Sequence, residues 1–212
     1  PKAAILIDTY PNGIGLRKRI WEEHGVTIVL HRYRTDMEKF EAAIPWVQYF
    51  WHPWAADLQV FRPNPPRDAD LAILGNCSAH LYPVRAQILQ EAEQQSEVKI
   101  LRAPHPTGFR YKSPTRQAAG SMIGTAYAEA LGSAKIALST GGKPGYVVGK
   151  YFTIPACGTV LLAPELPDLA DLGFEPGVHY AKLNECKPFA QVQALLADAQ
   201  VRRDLSKQGR LL

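Results

Sequence analysis

The sequence predicts an α/β protein of parallel sheets, and three observations lead there. Residues 135–163, KIALSTGGKPGYVVGKYFTIPACGTVLLA, read as strand, glycine-rich loop, helix and second strand with little left over. Residues 3–51 show the same alternation as βαβαβ, with connections short enough for strands that run parallel. Between them lies a proline-rich linker, Asn64-Pro65-Pro66-Arg67-Asp68, which divides the chain into 1–62 and 63–212. Two Rossmann-like units are expected.

Taken in order, 3–7 is a short apolar strand ending at Asp8, and 15–24 an amphipathic helix after the Pro11-Asn12-Gly13 turn. The next strand is 26–30. Asp36 is placed to cap a helix over 37–43, which Pro45 stops before 47–51 resumes extended structure. After the linker, 69–74 is a strand, Gly75-Asn76 a turn, and 83–94 a helix with Pro83 at a favourable first position. Arg85 falls in the first turn of that helix, where a strand hands over to a helix and phosphates bind. A strand over 98–101 leads into Ala103-Pro104-His105-Pro106-Thr107-Gly108, at the end of the strand where ligands of open sheets lie, so His105 is expected to touch a base or sugar. A helix over 121–131 carries Tyr127 and Leu131 on one face. The central unit follows as a strand at 136–138, a helix from about 146 to 154 and a strand over 159–162. The chain closes on a helix over 189–196 and a basic stretch over 201–209.

Glycines 141, 142 and 145 let the loop backbone take positive φ and approach a ligand, while free amides and the positive end of the next helix face the same point. An anion is the expected guest. Lys143 and Lys150 add mobile charge that suits a diphosphate better than a single carboxylate. The plainer alternatives are a tight turn with two solvated lysines, a surface Arg85 and a rigid-loop His105.

Composition bounds the class. The 212 residues are 46% hydrophobic and 21% charged, as in a globular protein, and no apolar run approaches a membrane span. The start, Pro-Lys-Ala-Ala-Ile-Leu-Ile-Asp, lies inside a strand pattern with no signal peptide and no Met, which points to lost upstream sequence and a cytoplasmic protein. Net charge is +4, but the basic residues are scattered and the clusters at 17–19 and 202–203 read as solvated helix faces, so nucleic acid is not the expected partner. Cys77, Cys157 and Cys186 are widely spaced without a CxxC pair, which argues against zinc and for reduced thiols.

The stretch KYFTIPACGTVLLAPELPDLADLGFEPGVHY resembles the donor-side motif of GT-B glycosyltransferases, in the group whose second domain carries Lys/Arg-x-Phe-Glu-x-x-Ala-Cys-Gly followed by Phe-x-Pro-Gly. The matching positions are Lys150, Phe152, Ala156, Cys157, Gly158, Phe174, Pro176 and Gly177. Residues 51–57 and 60–63 are similar to that group's crossing between domains. The resemblance implies a fold of GT-B type, with a partial acceptor-side domain over 1–62 and a complete nucleotide-sugar-binding domain over 63–212. It implies transfer of a sugar from a nucleoside-diphosphate sugar to an unknown acceptor, with neither metal nor cofactor. The donor would lie against Gly142, Lys143, Gly145, Tyr146, Val147, Lys150, Thr153, Arg85 and His105. No catalytic side chain emerges, since Asp8, His24 and His52 on the first-domain side are undifferentiated. Two departures matter: Thr153 stands where the group has a ribose-holding glutamate, and Gly145 where a first glutamate would fall. Thr153, together with the missing front of the first domain, favours the alternative of a non-catalytic nucleotide-sugar-binding or interaction module. A flavodoxin-like fragment is disfavoured because no GxGxxG follows the first strand.

Overall fold

A computed structural model describes residues 1–6, 13–63, 66–104 and 122–212. Its contacts divide the chain into two compact units, 1–54 and 55–212, so residues 55–62 group with the second unit rather than the first.

In the first unit, β1 (Lys2–Leu6), β2 (Val26–His31) and β3 (Gln48–Trp51) form a three-stranded parallel sheet in that order. Helices α1 (Ile14–His24) and α2 (Arg34–Ala43) connect them. Trp21 and Phe40 meet with ring centroids 6.0 Å apart, and Leu6, Val29, Ile44 and Val47 fill the core around them. Asp36 is not the cap expected of it. The cap is Tyr33, and Asp36 lies buried in the first turn of α2, where a carboxylate suits the positive helix end and takes an ion pair from Lys39 at 2.7 Å.

The second unit holds β4 (Ala69–Leu74), α3 (Pro83–Glu93), β5 (Ile100–Ala103), α4 (Gly124–Gly132), β6 (Ala134–Leu138), α5 (Lys150–Ala156), β7 (Val160–Ala163), α6 (Pro167–Asp171), β8 (Ala181–Lys182), α7 (Pro188–Ala197) and α8 (Ala199–Leu211). All neighbouring strands pair in parallel, in the order β5-β4-β6-β7-β8. Alternate strand residues go to opposite faces, as the period of two requires. Leu71, Ile73, Ile136, Leu138, Val160 and Leu162 pack with residues of α3, α7 and α8, while Ala72, Leu74, Ala137, Leu161 and Ala163 pack with residues of α4 and α5. Helices on both faces explain why these strands read as unbroken apolar runs.

The chain leaves β4 for β5 on one side and returns to β6 on the other, so the order reverses between β4 and β6. The crevice outside the carboxyl ends of two such strands is where open α/β sheets bind ligands. The central helix is shorter than expected. Residues 146–149 are not helical, because the turns at Gly142 (φ +63°) and Gly145 (φ +70°) fold the loop back first, and α5 begins only at Lys150. The motif aromatics belong to the core: Phe152 meets Phe174 edge-on at 5.7 Å, and Phe174 meets Tyr180 at 6.4 Å. Residues Pro167–Asp171 form the short helix α6.

Candidate functional site

The switch point between β4 and β6 is built from side chains more than from amides. Three of the loop's expected donors are already engaged: Lys143 N donates to Leu81 O (3.0 Å), Gly145 N to Gly142 O (3.1 Å) and Tyr146 N to Gly141 O (3.3 Å). Tight turning spends these groups inside the loop. Among the described residues, the amides of Gly141, Gly142, Val147 and Val148 have no hydrogen-bond acceptor. Gly142 is held close, since a Cβ there would stand 2.9 Å from Cε1 of Tyr82.

Two cations converge on the crevice. Arg85, only 3% exposed, donates from Nη1 to Asn76 O (2.7 Å) and from Nη2 to Thr140 O (3.4 Å) and Thr140 Oγ1 (3.3 Å). Its guanidinium lies over the Tyr82 ring, 4.3 Å from the centroid. The Nε group is buried with no partner. Lys150 donates from Nζ to the carbonyl of Leu74, the last residue of β4. Burial, reinforced by the positive charge of Arg85 and partly offset by Cys77, lowers the Lys150 amine to about 7. Neither cation has a carboxylate partner among the described residues. Burial is the main influence on Arg85 and lowers its pKa, and the groups that act on it besides are the Cys77 thiol and the phenols of Tyr82, Tyr127 and Tyr151, none of them a carboxylate.

Lys150 lines a cavity of about 330 Å³ with Leu74, Gly75, Pro104, Ile123 and Tyr127, and is the one charged side chain among its described lining residues. Apart from that amine and the Tyr127 phenol, the described side chains that line the cavity are apolar. The buried hydroxyls of Tyr127 and Thr153 lie close to each other without a well-formed hydrogen bond, that of Tyr151 has no hydrogen-bond partner among the described residues, and burial raises the Tyr127 and Tyr151 phenols well above their ordinary range. A second cavity, about 210 Å³, holds Thr140, Gly141, Gly142 and Lys143 together with Glu165 and Glu185. Arg85 connects the two, because its partners Tyr82 and Thr140 line the second while its charge is felt by Lys150 in the first.

The expected site residues therefore separate. Gly142 and exposed Lys143 face the smaller cavity, Lys150 faces the larger, and Arg85 sits behind both instead of on the surface. Gly145 shapes the loop. Val147 points into the core and Tyr146 is also buried with its amide already given to Gly141 O, which leaves the Val147 amide for a ligand. Thr153 is 9% exposed, within α5. His105 and Asp8 lie outside the described residues. Sequence reading missed Tyr127 as a cavity residue, although its place on one face of α4 with Leu131 was the available signal, and it missed Cys77 beside the cations.

No family model and no curated protein sequence matches the chain. Solved structures do. HepE from Anabaena, in complex with UDP and glucose, aligns with all of this chain and 66% of its own at 12% identity and a TM-score of 0.68. Sucrose-phosphate synthase from Thermosynechococcus elongatus aligns over 96% of this chain and 57% of its own, at 15% identity and a TM-score of 0.61. The C-terminal domain of a group 1 family glycosyl transferase, LpcC, from Francisella tularensis aligns over 74% of this chain and 95% of its own, at 11% identity and a TM-score of 0.54. The chain thus spans less than two thirds of the first two proteins. Among the described residues, no helix is long and apolar enough to cross a membrane. What these likenesses establish is architecture: the chain has the α/β fold of the GT-B glycosyltransferases.

Proposed function

We propose that the second unit binds the diphosphate of a nucleoside-diphosphate sugar at its switch point, and that the protein transfers the sugar to an acceptor. The observation that carries this reading is the pair Lys150 and Arg85, two cations at the carboxyl ends of β4 and β6 with no carboxylate among the described residues to neutralise them. A lone buried cation pair is costly, and an anionic guest offsets that cost. The apolar walls beside Lys150 suit a nucleoside.

Transfer needs negative charge on the departing diphosphate to be met as the glycosidic bond breaks. Lys150 is placed to touch that charge, and Arg85 stands behind it as a fixed second charge held by Asn76, Thr140 and Tyr82. Fixed donors need no rearrangement at the moment of reaction, which is the source of their effect. HepE was solved with UDP and glucose and with UDP-glucose, so uridine donors come first in any trial.

A second reading, a nucleotide-sugar-binding module without turnover, is favoured by Thr153. Its hydroxyl is buried beside the Tyr127 phenol where a carboxylate would give sugar hydroxyls a charge-assisted acceptor. Calorimetry with UDP, GDP and dTDP sugars, coupled to an assay for donor hydrolysis and transfer, separates the two. Binding with turnover is expected. Binding without turnover, with acceptors supplied, selects the second reading, and failure of every donor to bind contradicts both.

A further inference from the structure

We propose that the smaller cavity seats the sugar of the donor, an uncharged pyranosyl group, and that Glu165 and Glu185 select it by accepting its hydroxyls. This rests on the diphosphate reading above and deepens it, giving the donor a direction along the sheet and its sugar a chemical class.

The strand order carries the direction. The larger cavity lies outside the carboxyl ends of β4 and β5, where Leu74, Ala103 and Pro104 line it, and the smaller outside those of β6, β7 and β8, where Thr140, Pro164 and Glu185 do. With adjacent strands about 4.8 Å apart, two to three spacings, roughly 10–15 Å, separate the cavities. Arg85 stands between them, bonded to Asn76 O just after β4 and to Thr140 just after β6. A nucleoside-diphosphate sugar has the same three parts in line. The apolar walls beside Lys150 take the nucleoside, the two cations take the charged link, and the sugar falls beyond Arg85.

The lining of the smaller cavity suits that part of the donor. Its described acids, Glu165 and Glu185, repel a phosphate, which keeps the diphosphate back at the cations. Lys182 pairs with one carboxylate oxygen of Glu165, whereas Glu185 and Lys143 line the same cavity with no ion-pair or hydrogen-bond partner among the described residues. The glycine loop adds the amides of Gly141 and Gly142, which have no acceptor there. Donors thus come from the loop after β6 and acceptors from the connections after β7 and β8. A hydroxyl both donates and accepts, so a ring that carries several matches both sets, and its bonds to ionised carboxylates are the stronger ones. A sugar with a carboxylate of its own meets like charge and is disfavoured.

The test is calorimetry of the whole chain and of Glu185→Gln, which keeps the side chain's shape and removes its charge. The ligands are UDP, UDP-glucose, UDP-galactose, UDP-N-acetylglucosamine and UDP-glucuronate. UDP, which has no sugar, is expected to bind the two chains alike, which also shows that the variant is folded. At least one of the three uncharged UDP-sugars is expected to lose about tenfold in Glu185→Gln, as for a lost charge-assisted hydrogen bond. Glu185→Lys is expected to tighten UDP-glucuronate by up to about fivefold while weakening that same uncharged sugar. If UDP binds the native chain and Glu185→Gln and Glu165→Gln leave every UDP-sugar in its native ratio to UDP, the sugar pocket is overturned and the diphosphate seat stands. If neither UDP nor any sugar nucleotide binds the native chain, the diphosphate reading is overturned with it.

Discussion

The two ends of the five-stranded sheet carry the same kind of side chain and use it in opposite ways. At the amino ends of β6 and β7, Arg67 donates to the carbonyls of Gly132 (3.2 Å), Ala134 (2.7 Å), Cys157 (3.2 Å) and Gly158 (2.5 Å) and to Thr159 Oγ1 (2.7 Å). Lys135 is paired with Asp70 at 2.6 Å, and Arg202 takes up the last carbonyls of α7, Leu195 O and Leu196 O, at 2.5 Å each. Every one of these cations answers a negative helix end or a carboxylate already in the protein. At the carboxyl ends, Arg85 and Lys150 have carbonyls and hydroxyls but, among the described residues, no acid. Positive charge alone does not mark a ligand site; charge left without an internal counterpart does.

Removing Arg67 breaks the comparison most severely. Arg67→Met removes a charged donor shared by four carbonyls and a buried hydroxyl, of which Gly158 O keeps Ser206 Oγ and Ala134 O keeps Thr159 Oγ1, and a stability loss of about 2–4 kcal/mol is expected in urea titration. Donor affinity of the folded fraction should stay as in the native chain. Lys150→Met is expected to show the reverse. Diphosphate affinity falls about 10- to 100-fold in calorimetry, as for a lost charge-assisted hydrogen bond, while stability holds or rises because a buried amine facing Arg85 has gone. A smaller effect is expected of Gly142→Ala, which forces a Cβ to 2.9 Å from Tyr82 at φ +63° and should cost about 1–2 kcal/mol by thermal or chemical unfolding.

The gentlest test uses pH. The folded amine of Lys150 lies at about 7 against 10.5 for the ordinary group, so between these values the unfolded chain binds the extra proton. Its contribution to stability therefore rises as pH climbs from 7 to 10.5, and Lys150→Met should flatten the native chain's curve over that window. Arg67→Met should lower the whole curve without changing its slope there.

How much of this was legible follows from what each feature depends on. The strand at 69–74 is found where expected, since an apolar run buried on both faces is a local property. So is the helix from Pro83, whose proline fixes its start. Arg85 was visible as a candidate because its place in the first turn of a helix after a strand is sequential, and Lys150 because it is a positive charge that closely follows the glycine-rich loop. The amide seat in the glycine loop was expected and is largely closed, because glycine allows both ligand approach and self-contact, and only tertiary packing against Leu81 and Tyr82 decides between them. Arg67 read as linker. Its carbonyl partners lie 65 to 91 residues away, and no local pattern announces them. A helix start at 146 was expected from propensity, but the turns ending at Gly145 delay it to Lys150.

The sharpest single measurement is the affinity of Lys150→Met for UDP set against its affinity for uridine, each relative to the native chain. If the switch point seats a diphosphate, UDP loses about 10- to 100-fold while uridine changes little. Equal losses for the two, or none for either, would contradict a phosphate at Lys150.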